Sequence, residues 1–188
     1  MKTQIHTLIA LALLLSLPCR ASIFDDDFDR DDHEEPAGSG FTLLLGPADG
    51  VYGFAFGQAT RLKGTPITGD YFILGLSNEI EDAAYSGVGM TFRLMPSWTW
   101  SPFIGAGGGY NLSLSETGEE SEDPDTVPHR GESYWAAHVE AGIRLTRSRG
   151  PYTLYEILLR YTRHPRDRDR DYTVIGITIG AAPPTNAR

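Results

Sequence analysis

Six side chains have the types and spacing to build an ionic cluster: Arg93, His138, Glu140, Arg144, Glu156 and Arg160. His138, Glu140 and Arg144 fall at even intervals in one stretch, and Glu156 and Arg160 fall at an even interval in the next. Residues two apart project from one face of a strand. If the two stretches pair across the turn Arg147–Gly150, Glu140 or Arg144 meets Glu156 or Arg160 over the ladder. Such groups either pair and fill an interior or line a path for ions. Buried charges must pair, so the expectation is a charge-paired plug; a narrow channel is the second reading.

Other candidates for chemistry are thinner. Arg160-Tyr161-Thr162-Arg163-His164 is faintly similar to the lipid A deacylase barrels, which use a serine and a histidine close together on one strand. Here Pro165 and Arg166 follow His164, where that resemblance wants the serine. Ser133 and Thr162 are hydroxyls that nothing in the sequence places beside His164. Acyl transfer needs a positioned nucleophile, so no catalytic residue is assigned, and His164 reads as a loop-edge histidine. A lipid A-modifying enzyme stays as an alternative. Arg163, Arg166, Arg168 and Arg170 alternate with Asp167, Asp169 and Asp171. They make either a contact to lipid phosphates, which suit arginine forks, or a self-paired loop. Asp25, Asp27 and Asp29 have the cadence of a calcium loop, but Arg30 stands where glycine belongs and Pro36 where glutamate belongs. Gly105, Gly107, Gly108 and Gly109 lie inside a strand pattern and open no helix, so they are no phosphate cradle. No metal and no cofactor are expected.

The elements that must carry these residues are strands. From Phe41 onward, alternating segments are split by turn residues, and eight are predicted: 41–47, 51–62, 70–78, 84–95, 101–114, 133–147, 151–163 and 171–181. The clearest have two unlike faces. Trp135, Ala137, Val139, Ala141, Ile143 and Leu145 oppose Tyr134, Ala136, His138, Glu140, Gly142, Arg144 and Thr146. Val88, Met90, Phe92 and Leu94 oppose Gly87, Gly89, Thr91 and Arg93. The polar face is rich in glycine and mixed in charge. Glycine weakens a solvent-facing strand but makes room in a narrow lumen, and opposite charges neutralise one another there. The apolar face is therefore expected outside and the polar face inside, the pattern of a transmembrane barrel. The inverse arrangement, a soluble periplasmic barrel binding a small apolar ligand, is the alternative. The long connection Ser115–Glu132 falls on one side and the short turn Arg147–Gly150 on the other. Trp98, Trp100, Phe103, Tyr110, Tyr134, Trp135, Tyr152 and Tyr155 near strand ends are candidates for interface girdles.

The ends suggest a compartment. A short segment with Lys2, the apolar run Thr7–Leu17 and a small residue at Ala21 follow the pattern of a secretory signal peptide, with cleavage near Ala21. Residues 22–40 are expected to be a disordered acidic linker, residues 41–181 a barrel, and residues 182–188 a tail. Cleavage would remove Cys19, the chain's one cysteine, and with it any disulfide or thiolate site. It would also remove Lys2 and Arg20 from the 16 basic residues and leave the 25 acidic ones. So acidic a chain lacks the footprint for nucleic acid.

Ser101-Pro-Phe-Ile-Gly-Ala-Gly-Gly-Gly-Tyr110, Ala136-Ala-His-Val-Glu-Ala-Gly-Ile-Arg144 and Asp171-Tyr-Thr-Val-Ile-Gly-Ile-Thr-Ile-Gly180 carry a family likeness. In these stretches the chain resembles the small eight-stranded outer-membrane barrels, OmpA/OmpX-like and opacity-type. The resemblance implies an all-β, eight-stranded antiparallel up-and-down transmembrane barrel. Its implied surroundings are outer-membrane lipid and lipopolysaccharide, and its implied partner the barrel-assembly machinery. Members often close the last strand on a terminal aromatic residue, whereas this chain continues to Arg188. The expected role is a non-catalytic envelope protein.

Overall fold

The structure, a computed structural model, describes residues 34–79, 83–114, 133–147, 153–165, 168 and 171–182. The chain divides into two units, Met1–His33 and Glu34–Arg188, and every described residue belongs to the second. The signal peptide and residues 22–33 of the linker lie outside the described residues, as does all of the tail but Ala182.

Eight strands follow in order: β1 (Glu34–Gly46), β2 (Val51–Leu62), β3 (Ile67–Asn78), β4 (Ala83–Leu94), β5 (Trp100–Ser113), β6 (Tyr134–Thr146), β7 (Leu154–Arg163) and β8 (Tyr172–Ala181). Each pairs antiparallel with its sequence neighbours, and β8 closes on β1. The fold is a closed eight-stranded antiparallel up-and-down barrel. β1 begins and β8 finishes at one end, called here the terminal end; the opposite end is the far end.

Three strand starts differ from expectation by three residues or more. β1 begins at Glu34 instead of Phe41. Its charge, proline and glycine suggested a linker, but Glu34 to Gly38 pair with β2 alone, and β8 joins only from Ser39, opposite Ala181. A single-sided edge with a bulge between Pro36 and Gly38 tolerates proline. Gly38 takes φ 137°, and a Cβ there would stand 2.8 Å from Leu154 Cδ1, so only glycine fits. β3 begins at Ile67, which shortens the terminal-end turn after β2 to Lys63–Pro66. β7 begins at Leu154 because Arg147 N–H donates to the Thr153 carbonyl (2.7 Å) and keeps residue 153 in the turn.

Closure sets the bore. Cross-strand partners run Ser39, Gln58, Tyr71, Met90, Gly108, Ala137, Arg163. Carried on through β8, this line returns to β1 about ten residues from its start, the stagger of the barrel. For eight strands about 4.8 Å apart, rising about 3.3 Å per residue, that stagger means a tilt of roughly 40° and a backbone radius of about 8 Å. Such an interior is filled by side chains.

The strand faces separate sharply. In β6, β7 and β8 exposed and enclosed residues alternate along most of each strand. Ile175, Ile177 and Ile179 look outward, where β-branched side chains suit the pleat. Twenty-four large apolar side chains are exposed among the described residues, Trp135 at 69% and Ile157 at 63% among them. Phe103 departs from the girdle expectation: it is buried in the lumen, because it shares phase with Ser101 and Gly105. Tyr134 also turns inward, edge-on to Tyr85. Trp98, Trp100 and Trp135 are exposed on the outer wall, and Tyr152 lies outside the described residues.

At the far end the β1–β2 turn is fastened to β8 by Asp49, whose carboxylate accepts from Thr173 N–H at 2.7 Å. Inside, Gly107 sits where a Cβ would fall 2.0 Å from the Met90 carbonyl oxygen and 2.8 Å from His138 Nε2. Gly108, facing outward, would meet only the Ala136 carbonyl, at 3.0 Å. Gly107→Ala is therefore expected to destabilise the barrel by about 1–3 kcal/mol and Gly108→Ala by less. Denaturant unfolding of the two variants checks the order.

Candidate functional site

The lumen holds the six residues singled out above, in three layers. At the far end Leu44, Val51, Ala55, Leu76, Ala83, Tyr85, Tyr172 and Val174 pack into an apolar plug. Toward the terminal end a smaller apolar group, Met95, Phe103 and Leu158, packs together. The charges lie between and beside these groups.

The register explains the charged layer. Glu140 stands directly opposite Arg160, and Arg144 opposite Glu156, on the β6–β7 ladder. Arg160 Nε and Nη2 reach Glu140 Oε2 at 2.8 and 2.7 Å, and Arg144 Nε reaches Glu156 Oε2 at 2.8 Å. Arg93 enters from β4. Its neighbour on β5 is Gly105, and Glu140 is the next residue across. With no side chain at Gly105, Arg93 Nε spans the gap and donates to Glu140 Oε1 at 2.5 Å. Arg93 Nη1 then contacts Asp70 Oδ2 at 2.8 Å and Glu156 at 3.3 Å. One connected chain results, of three guanidinium groups and three carboxylates whose formal charges cancel. Removing ions from water is costly, and this dense mutual pairing is what offsets the cost. Two rings add to it: Arg160 lies 4.7 Å from the Phe72 centroid and Arg93 4.6 Å from that of Phe103.

Asp70 was missed by sequence reasoning. It stood at the edge of the expected third strand, but it shares phase with the buried Thr68 and Phe72, and that parity was the available signal. His138 belongs to the same layer through a different contact. Its Nε2 lies 2.7 Å from Thr91 Oγ1. A hydroxyl beside an imidazole is the geometry of a base and its nucleophile. Here Thr91 is 0% exposed and Phe72 packs against the imidazole at 5.8 Å, so a substrate has no approach. Between the charges and the small residues of β1 and β2 lies a cavity of about 40 Å³, room for one or two waters. Arg144 Nη1, without a partner among the described residues, belongs to its lining.

Nothing in the sequence places Ser133 or Thr162 beside His164, and the structure gives each another neighbour. Thr162 is buried opposite His138 in the register, and Ser133 Oγ accepts from Ser113 N–H at 3.1 Å. His164 lies directly after β7, at the loop edge. It is buried, with its ring 4.3 Å from that of Tyr134, which packs against the far-end plug.

Of the four arginines read as phosphate contacts, Arg163 and Arg168 are exposed, while Arg166 and Arg170 lie outside the described residues. Arg163 and Arg168 surround Asp171, whose carboxylate accepts from the Tyr161 hydroxyl and from His164 N–H at 2.7 Å. Partial desolvation pushes the Asp171 carboxyl up. The two hydrogen bonds and the two guanidinium groups outweigh it and hold the carboxyl below its ordinary value.

No protein-family model matches the chain, and no curated protein matches it.

Two predictions follow from these contacts. Glu140→Gln strips the only carboxylate bound by Arg160 among the described residues, and leaving a buried charge unpaired costs about 3–5 kcal/mol. Asp70→Asn leaves Arg93 two carboxylates and is expected to cost less; chemical unfolding of both variants gives the ranking. Asp171, with a lowered folded-state value, stabilises its contacts to Tyr161 and His164 above the ordinary carboxylate range. It loses that effect as pH falls through its own lower value. The His164 amide resonance is therefore expected to shift with a midpoint below 3.8, and Asp171→Asn to abolish the shift.

Proposed function

We propose that the chain is an outer-membrane barrel protein of a Gram-negative-type envelope, exported by a signal peptide cleaved near Ala21, with a non-catalytic surface or structural role. The observation that carries this reading is the inverted distribution of polarity: an exposed apolar wall around an interior of paired charges. Soluble monomers rarely expose contiguous apolar patches beyond a few hundred Å², and an apolar wall of this extent suits lipid. Its height agrees. Trp100 and Tyr110 lie ten residues apart on β5, which at about 3.3 Å per residue and roughly 40° tilt gives a band of about 25 Å, the height of the apolar band in outer-membrane barrels. Trp98 and Trp100 lie at the terminal-end edge of this band; Tyr110 and Trp135, their rings 5.1 Å apart, lie toward its far edge.

In this reading the terminal end faces the periplasm and the far end the exterior. The longer connections, β5 to β6 and β7 to β8, are then external, the usual asymmetry. The plug and the paired charges support a filled interior over a channel, and the enclosure of Thr91 and His138 supports a non-catalytic role. Arg163 and Arg168 at the external rim suit phosphates of lipopolysaccharide. Insertion by the barrel-assembly machinery belongs to the same proposal.

The test is electrophoretic. The chain is recovered from the outer-membrane fraction and run in SDS with and without boiling. A band that shifts on boiling, together with no conductance in planar bilayers, is the expected result. A protein soluble without detergent and without a shift overturns the reading and leaves the soluble ligand-binding barrel.

A further inference from the structure

Among the described residues, the apolar outer wall carries a polar row on β1–β3. In β2 the outward positions are Tyr52, Phe54, Phe56, Gln58, Thr60 and Leu62. Gln58 is exposed and is the only amide among the described outward-facing strand residues. Its register partners are Ser39 on β1 and Tyr71 on β3, both also exposed, so a serine hydroxyl, an amide and a phenol lie side by side. This row falls within the apolar band: Leu62 and Ile67 lie beyond it toward the terminal end, Phe56 and Ile73 toward the far end. None of the three side chains has a hydrogen-bond partner among the described residues.

Surrounded by lipid, an amide without a partner is costly, since neither acyl chains nor excluded water can bond it. Beside the row the wall is hollow. A groove of about 630 Å³ opens there, lined by Phe56, Gln58, Tyr71, Met90, Gly108 and Trp135. The hollow exists because Gly108 carries no side chain where its register neighbour Met90 does. Ridge and hollow are therefore adjacent on one surface.

Resting on the membrane reading, we infer that this face of β2–β5 is an interface with a second copy of the chain, related by a two-fold axis through Gln58. A carboxamide is donor and acceptor at once, so two copies of Gln58 satisfy each other across a dyad. The phenol of Tyr71 is equally self-complementary. The same operation sets the Phe56–Tyr71 ridge of one copy into the groove of the other. A lipid chain would fill the groove but leave the amide unbonded.

The experiment is sedimentation equilibrium of the full chain in density-matched detergent micelles, with the SDS gel shift recorded on the same samples. The wild-type barrel is expected to be a dimer. Gln58→Leu is expected to weaken association by about tenfold, and Gln58→Asn, which keeps the amide, to weaken it less. Ile177→Leu on the opposite wall should leave it unchanged. A wild type that shifts on boiling yet sediments as a monomer overturns the inference and leaves the membrane reading standing. So does a dimer indifferent to Gln58→Leu. Absence of the shift overturns the membrane reading, and the interface with it.

Discussion

Closure of eight strands with a stagger of about ten residues is the constraint on which everything else depends. It fixes a backbone cylinder of roughly 8 Å radius. The interior of such a cylinder is too narrow for water in bulk and too polar here to collapse as an apolar core. Each inward guanidinium must therefore find its counter-charge among the other inward groups. Arg93, Arg144 and Arg160 do so against Asp70, Glu140 and Glu156, and glycine is placed where a side chain would block the reach. Gly105 is the clearest instance, since it lies in register between Arg93 and Glu140.

The same closure explains why the lumen is layered. The β6–β7 ladder places Glu140 and Arg160 side by side, and Arg144 and Glu156 four residues nearer the terminal end. The apolar residues that remain inward, Tyr85, Tyr172 and Val174 among them, collect at the far end. Charges enclosed in this way are shielded from water on the far side by the plug. That shielding raises the cost of leaving any one of them unpaired.

Much of this was legible in the sequence, because a strand's period of two leaves little freedom. Once β6 and β7 were recognised, the facing of His138, Glu140, Arg144, Glu156 and Arg160 followed. What escaped depended on pairing between distant strands or on single-sided edges. Glu34 to Gly38 looked like a linker because proline and glycine usually break strands, and only the one-sided pairing with β2 makes them a strand. Asp70 was hidden by a strand start placed three residues late. Phe103 looked like a girdle residue because it is aromatic and near a strand end, whereas its parity with Ser101 and Gly105 places it inside. The loop-edge position of His164 gave no sign that it is buried, with its ring against Tyr134 of β6.

The ionic chain also bears on how this sequence specifies one register. Moving a strand by one residue exchanges its faces. For β6 that slip would turn His138, Glu140 and Arg144 outward and push Trp135, Val139 and Ile143 into a lumen with no volume for them. For β7 it would separate Glu156 and Arg160 from their partners on β6. A slip by two keeps the faces but sets Glu140 against Thr162 or Leu158 instead of Arg160, and leaves charges buried without neutralisation. Buried ion pairs add little net stability compared with well-packed apolar groups, yet breaking one is expensive. Their effect in this barrel is to penalise the alternatives: an apolar interior would tolerate slips by two, while this interior accepts one alignment of β4, β6 and β7.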